Sequence, residues 1–366
     1  MIKDIPETMA AVLLTGHGGF DKLEYRTDVP VPKPKKSEVL IRVGAAGVNN
    51  TDINTRIGWY SKGVSEDTNR GGSEGFASAR DEDAGWAGIP ISFPRIQGAD
   101  CCGEVAAVGE DIDPGRIGQR VIVRNMLRTY VDYRPYECWT LGSECDGAFA
   151  QYVVAPAEET YGVSCDWTDA ELASIPCAYS TAENMLHRAA VKSGEKVLIT
   201  GASGGVGSAA VQLAKRRGAE VFAVADSTKL EIVRALGAEH VIPRGEKFTK
   251  TPGSNAVDLV VDLVAGPQWP ELIDTLRRGG RYAVAGAIAG PVVELDVRML
   301  YLRDLSFFGC TFQEDAVFEN LIGYIERGEI RPVVAKAYPL KDIVAAQKDF
   351  LAKNFTGKLV LELPKD

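Results

Sequence analysis

KVLITGASGGVG, residues 196–207, decides the reading of the fold. An apolar run, Lys196 to Thr200, ends abruptly in glycine, and Gly201, Gly204, Gly205 and Gly207 punctuate a turn that flows into a helical stretch, Ser208 to Arg217. A strand that turns tightly onto a helix N-terminus makes an anion site, because free backbone N–H groups and the helix dipole both face the turn. Glycine supplies positive φ there and lets backbone approach a pyrophosphate closely. The spacing is G-x-x-G-x-x-G, one residue longer than the usual dinucleotide fingerprint. Gly201, Ser203, Gly204, Gly205, Val206 and Gly207 are therefore the expected cofactor-binding residues.

Working outward, the downstream chain alternates strand and helix. Glu220–Ala225 is a second apolar run, closed by an acidic residue, Asp226. His240–Pro243, Ala256–Val264, Arg281–Ala287 and Leu305–Cys310 follow as strands, and Lys229–Leu236 and Pro270–Arg277 carry helical spacing. This βαβ alternation predicts an α/β, doubly wound parallel sheet over residues 161–311. Residues 1–160 differ: short β-rich runs at Met9–Leu14, Glu38–Gly44, Gly103–Val108, Arg120–Val123 and Phe149–Val154 are separated by Gly, Pro and Asp. They predict a compact, mainly β domain of partly open barrel type. A helix at Lys341–Lys353 and a strand at Lys358–Leu363 predict a C-terminal return to it, over 312–366. Thr168-x-x-Glu171 and Ser180-x-x-Glu183 each fit a capping box, which puts Cys177 and Thr181 near the junction of the two domains. Residues 61–88 are rich in Gly, Ser and acid and too long for an ordinary connection. They read either as a mobile surface loop or as a lid that touches a pocket through Phe76 or Trp86.

Composition narrows the function class. The chain has 366 residues, 45% of them hydrophobic, enough for two domains. No apolar run reaches the ~18 residues of a membrane span. The opening lacks the charged-then-apolar layout of a signal peptide, and seven irregularly spaced cysteines suit reduced thiols, so a cytoplasmic location is expected. A net charge of −9 disfavours nucleic acid as a partner and leaves a small molecule as the expected one.

These stretches together resemble the medium-chain dehydrogenase/reductase superfamily. The resemblance is carried by GAAGVNNTDINTRIGWY (44–60), IQGADCCGEVAAVG (96–109), GSECDGAFAQYVVAPAE (142–158), IPCAYSTAENML (175–186), TGASGGVG (200–207) and TGKLVLEL (356–363). It implies a GroES-like catalytic domain, a Rossmann domain, a nicotinamide cofactor between them, and a homodimer pairing through an edge strand at Asp304–Thr311. In the superfamily's zinc dehydrogenases a Cys, a His-Glu pair and a second Cys hold the catalytic metal. Here those positions read Asn49, Ala99-Asp100 and Cys177. One thiol and one carboxylate fall short of the three protein ligands such a site needs. None of His17, His187 and His240 falls at a ligand position, so no metal is expected.

The sequence is accordingly similar to the zinc-free branch of quinone oxidoreductases and enoyl thioester reductases. Tyr60 falls on the tyrosine that serves mitochondrial 2-enoyl thioester reductases as proton donor. A phenol near pKa 10 can protonate the enolate left by hydride addition, with an amide such as Asn49 stabilising the oxyanion. Set against this, Tyr60 reads equally as an aromatic turn packed on a core. Asp100 reads as a buried structural carboxylate or as a group lining the vacated metal position. For the coenzyme ribose, Asp226, Ser227 and Lys229 stand at the end of the second strand. Ser227 and Lys229 could receive a 2′-phosphate, while Asp226 would repel it; the resemblance to the zinc-free branch implies NADPH, with NADH as the alternative. The expected activity is zinc-independent, NAD(P)H-dependent hydride transfer to an activated C=C bond or a quinone. The competing readings are an alcohol dehydrogenase with a degenerate metal site and a cofactor-binding relative without turnover.

Overall fold

A computed structural model describes residues 5–365. Six strands form one fully parallel sheet in the spatial order His240–Pro243, Glu220–Ala225, Lys196–Ile199, Val257–Asp262, Leu276–Val284, Ser306–Gly309. The strand order reverses between Lys196–Ile199 and Val257–Asp262, and ligands of doubly wound sheets lie outside the strand ends at such a point. Val197, Leu198, Ile199, Leu259, Val260 and Val261 are wholly buried, because helices cover both faces. The helix Gly205–Arg216 lays Ala209, Ala210, Val211 and Leu213 on one of them. It begins three residues earlier than the sequence suggested, with Gly204 as its N-cap.

The other body is a twisted, mostly antiparallel sheet. Its strands run in the order Thr160–Gly162, Arg120–Val123, Cys102–Val108, Glu38–Val48, Lys358–Glu362, Val334–Pro339, with Tyr152–Pro156 also on Glu38–Val48. The last strand of the chain therefore closes the first sheet: Leu359 faces Val48 and Leu361 faces Ala46. Val39, Ile41, Val48, Val105, Leu359 and Leu361 fill its interior.

Two expectations change. Ser180 caps nothing. The helix runs Pro176–Arg188 and Ser180 lies inside it, because Pro176 supplies a fixed φ and no N–H at the first turn. Thr168 and Glu171 do form the reciprocal box around Asp169–Leu172. The segment after residue 312 also does not go straight back to the first sheet. The helix Asp315–Glu326 buries Phe318, Leu321 and Ile325 in the same core as the Pro176–Arg188 helix.

Residues 61–88 are anchored at both ends of their reach. A short helix, Thr68–Gly71, is capped by Asp67, which accepts from Asn69 N at 3.0 Å and Arg70 N at 3.3 Å. Phe76 packs on the barrel core and Trp86 N donates to Ser143 Oγ at 3.3 Å. Thr68 N donates to Ile288 O at 3.3 Å, in the loop that follows Leu276–Val284. The insertion thus bridges the catalytic body to the parallel-sheet body.

Candidate active site

The glycine turn has the form the sequence asked of it. Gly201 sits at φ +60°, a Cβ on Gly207 would stand 2.1 Å from Gly201 O, and a Cβ on Gly204 would meet nothing nearer than 3.5 Å. The three positions thus serve the turn, the close helix–strand packing and an open approach to backbone. The first-turn N–H groups of Gly205, Val206 and Gly207 have no acceptor within their own helix. This cradle fits the pyrophosphate of a dinucleotide. Ser203 contributes structure: its carbonyl accepts Gly357 N at 2.9 Å, which ties the turn to the start of the last strand. Asp226 Oδ1 accepts Thr228 N at 3.1 Å and Thr228 Oγ1 at 2.8 Å, so Asp226 caps the small turn that holds Ser227. Lys229 Nζ reaches across to Lys353 O and Phe355 O at 2.5 and 2.6 Å. Thr181 lies half-buried on the Pro176–Arg188 helix, one turn beyond Cys177.

Asp100 is fully buried. Its Oδ1 accepts Cys177 N at 2.6 Å, one of the free amides at that helix N-terminus. Its Oδ2 accepts Asn49 Nδ2 at 2.9 Å and Lys358 Nζ at 2.8 Å. Glycine is required at position 47, since a Cβ there would stand 2.3 Å from Asp100 Oδ2. Asn49 caps the helix Asn50–Ile57, and Asp52 closes that capping box by accepting Asn49 N at 2.8 Å. Asp52 is also buried, and its carboxyl is pushed up to about 7 by burial. Both amide hydrogens of Asn49 are engaged, by Asp100 and by Gly47 O at 3.3 Å, while its Oδ1 accepts from Lys358. The oxyanion role expected for Asn49 therefore has no free donor.

The residues at the metal positions of zinc dehydrogenases do not fit zinc. An ammonium stands among them, and Asp100 already accepts three hydrogen bonds, from Cys177 N, Asn49 Nδ2 and Lys358 Nζ. Among the described residues no group of three or more His, Cys, Asp or Glu is arranged to hold an ion.

Tyr60 follows the Asn50–Ile57 helix and is half-buried, edge-on to Trp59 at 5.7 Å. Its hydroxyl donates to Thr51 Oγ1 at 3.4 Å, in the first turn of that helix. Burial raises its pKa above the usual phenol value, with Cys177 and Glu144 adding to the rise. Cys177 precedes Ala178, whose Cβ lies 3.5 Å from the place a Gly205 Cβ would take.

Sequence reasoning missed Lys358 and Lys353. Lys353 Nζ donates to Asn50 Oδ1 at 3.3 Å, and burial beside Lys229 lowers its pKa to about 8. Lys353 ends one expected element and Lys358 begins the next, and no motif at either marks a site residue.

With this geometry in hand, the comparisons decide the family. An alcohol dehydrogenase GroES-like domain model matches residues 35–164 and a zinc-binding dehydrogenase model matches 205–327. A Sinorhizobium meliloti 1021 structure, assigned provisionally as an alcohol dehydrogenase, is 44% identical, with a TM-score of 0.87 and 99% of each chain covered. The chain belongs to the medium-chain dehydrogenase/reductase superfamily. Within this superfamily it is similar to the quinone oxidoreductase of Homo sapiens, 29% identical over 97% of this chain and 98% of that one. It is also similar to the acryloyl-coenzyme A reductase of Sulfurisphaera tokodaii, 28% identical over 97% and 100%. The protein is an oxidoreductase of the quinone oxidoreductase-like branch, and the superfamily implies catalysis with NAD(P).

Proposed function

We propose that this superfamily member is a zinc-independent, NAD(P)H-dependent reductase of an activated C=C bond or a quinone. The observation that carries the reading is the half-buried Tyr60 hydroxyl, held on Thr51 Oγ1 at 3.4 Å and kept protonated by burial. A bound nicotinamide coenzyme supplies the hydride. The chain supplies the rest. The amides of Gly205, Val206 and Gly207 hold the pyrophosphate, and Tyr60 delivers a proton to the enolate or hydroquinone oxyanion that hydride addition leaves. Asp100 and Asn49 hold the first turn of Asn50–Ile57, and so Thr51, in position.

NADPH is the favoured coenzyme. Lys229 and Arg244 both act on the carboxylate of Asp226, and two cations against one carboxylate suit a 2′-phosphate. We place the protein in the cytoplasm, where its seven unpaired thiols would stay reduced.

The test is NADPH and NADH oxidation by chelator-treated protein over quinones, enones, enals and enoyl thioesters. Oxidation of NADPH with at least one of these, unchanged by chelator, is the expected result. Activity with alcohols alone, and only after zinc is supplied, would overturn the reading.

A further inference from the structure

Lys358 puts a positive charge at the centre of the Asp100 cluster, and it does so from the coenzyme side of the cleft. Its neighbour Gly357 is bonded to Ser203 O, and its stem runs past the glycine turn, where a Cβ on Gly205 would stand 2.7 Å from Lys358 Cδ. The side chain then crosses to the catalytic body and ends with its ammonium almost sealed from solvent. There it has three acceptors: Val48 O at 3.2 Å, Asp100 Oδ2 at 2.8 Å and Asn49 Oδ1. An ammonium has three N–H donors and no acceptor. Its hydrogen-bonding capacity is therefore filled by a shell of three oxygens, as a coordinated cation's would be. Cys177 completes the surround, its amide donating to Asp100 Oδ1 at 2.6 Å.

Packing alone does not call for this group. Burying an ion pair is costly, and apolar residues of similar volume fill such space as well or better. The charge is nonetheless kept, at the positions where metal-dependent members of the superfamily place their ion. We infer that the Lys358 ammonium is the resident cation of this site, standing in the place of a metal ion and positioning Asn49 and Asp100 from the glycine turn. The positioning half rests on the reductase reading; the cation half does not.

Cobalt(II) tests the cation half without any turnover. Thiolate-bound cobalt absorbs strongly, and metal binding would draw the proton from Cys177. Chelator-treated wild-type protein titrated with cobalt should show no thiolate-to-cobalt band. Asn49→Cys/Ala99→His brings the ligands to three with Cys177 and should still show no band while Lys358 stays; adding Lys358→Ala should gain one, lost again with Cys177→Ser. A stoichiometric, Cys177-dependent band in the wild type would overturn the inference, whether or not the variant folds. So would a folded triple variant that gains none, or a double variant that gains a band with Lys358 in place.

The positioning half uses the charge-neutral pair Lys358→Met/Asp100→Asn, which leaves no buried charge uncompensated. Coenzyme affinity, read by fluorescence, should stay within about threefold, while single-turnover hydride transfer falls about a hundredfold. Lys358→Arg should recover part of that rate. Hydride transfer at the wild-type rate in the double variant would remove the positioning role. If the wild type reduced no acceptor in the panel, the reductase reading would fail while the cobalt result stood by itself.

Discussion

The phenol of Tyr60 and the carboxyl of Asp52 are shifted in the same direction by burial, with opposite consequences. Tyr60, held above the ordinary phenol value, stays an acid through the whole range of a normal assay. Tyr60→Phe should lower kcat by about 10²–10⁴-fold at unchanged coenzyme affinity, measured by fluorescence titration beside steady-state rates. The wild-type rate should show no alkaline limb from this group below about pH 10. A parallel loss of coenzyme affinity would assign Tyr60 to packing instead. Asp52 at about 7 keeps its proton in the folded state where the unfolded chain has already lost it. Native protein then binds more protons than unfolded protein between the ordinary carboxyl value and about 7, so this group's contribution to stability falls as pH rises through that window. Melting temperatures of wild type and Asp52→Asn between pH 5 and 8 check the sign: the difference should shift steadily in favour of Asn as pH rises. Asn49, Asp100 and Tyr60 were legible because each sits in a motif with fixed neighbours. Lys358 was not, because it meets Asp100 across 258 residues of chain and no local spacing records that contact.

The insertion shows the same limit for an element. Its Gly, Ser and acid content allowed a mobile loop or a lid, and the group that decides lies outside it. Arg56, on the Asn50–Ile57 helix, is wholly buried and pushed down to about 10 by that burial. It donates to Gly72 O at 2.7 Å, Gly18 O at 2.8 Å and Gln347 Oε1 at 2.8 Å, with Phe20 stacked 4.5 Å from its guanidinium carbon. One planar fork thereby fixes the insertion to an N-terminal turn and to the C-terminal helix. A lysine cannot reproduce three divergent bonds from one rigid plane. Arg56→Lys should lower stability by about 2 kcal/mol in denaturant titration. It should also speed proteolytic cutting within residues 61–88 more than cutting elsewhere. Uniform protection in the variant would mean that Thr68 N on Ile288 O and Trp86 N on Ser143 Oγ hold the segment without Arg56. The Ser180 signal failed for a related reason. An S-x-x-E pattern marks a start only where no stronger start precedes it, and Pro176 does.

At the scale of the molecule, the alternation of apolar runs foretold the parallel sheet, most clearly in Lys196–Ile199 and Val257–Asp262, where burial on both faces makes most residues apolar. Helix Asp315–Glu326 has no counterpart among the expected elements, and its place is set by the Pro176–Arg188 helix, whose core takes Phe318, Leu321 and Ile325. What the sheet leaves open is its last edge. Ser306–Gly309 pairs with Leu276–Val284 on one side only, and among the described residues no strand covers the other. Beside it Val292 is 74% exposed, Val297 60%, Tyr301 62% and Leu302 56%. A bare strand edge next to a cluster of exposed apolar side chains invites another chain. Pairing the edge with its own copy about a two-fold axis satisfies both at once, since each protomer offers the same strand and the same apolar cluster. Light scattering on the eluted protein should then give twice the 39.4 kDa chain mass. Val297→Glu/Tyr301→Glu should give the monomer mass with an unchanged far-UV spectrum, and a melting temperature that no longer depends on protein concentration. The Asp100, Tyr60 and glycine-turn groups all come from one protomer, so the monomer should keep coenzyme affinity. A wild type that elutes as the monomer at micromolar concentration would leave this edge to some other partner.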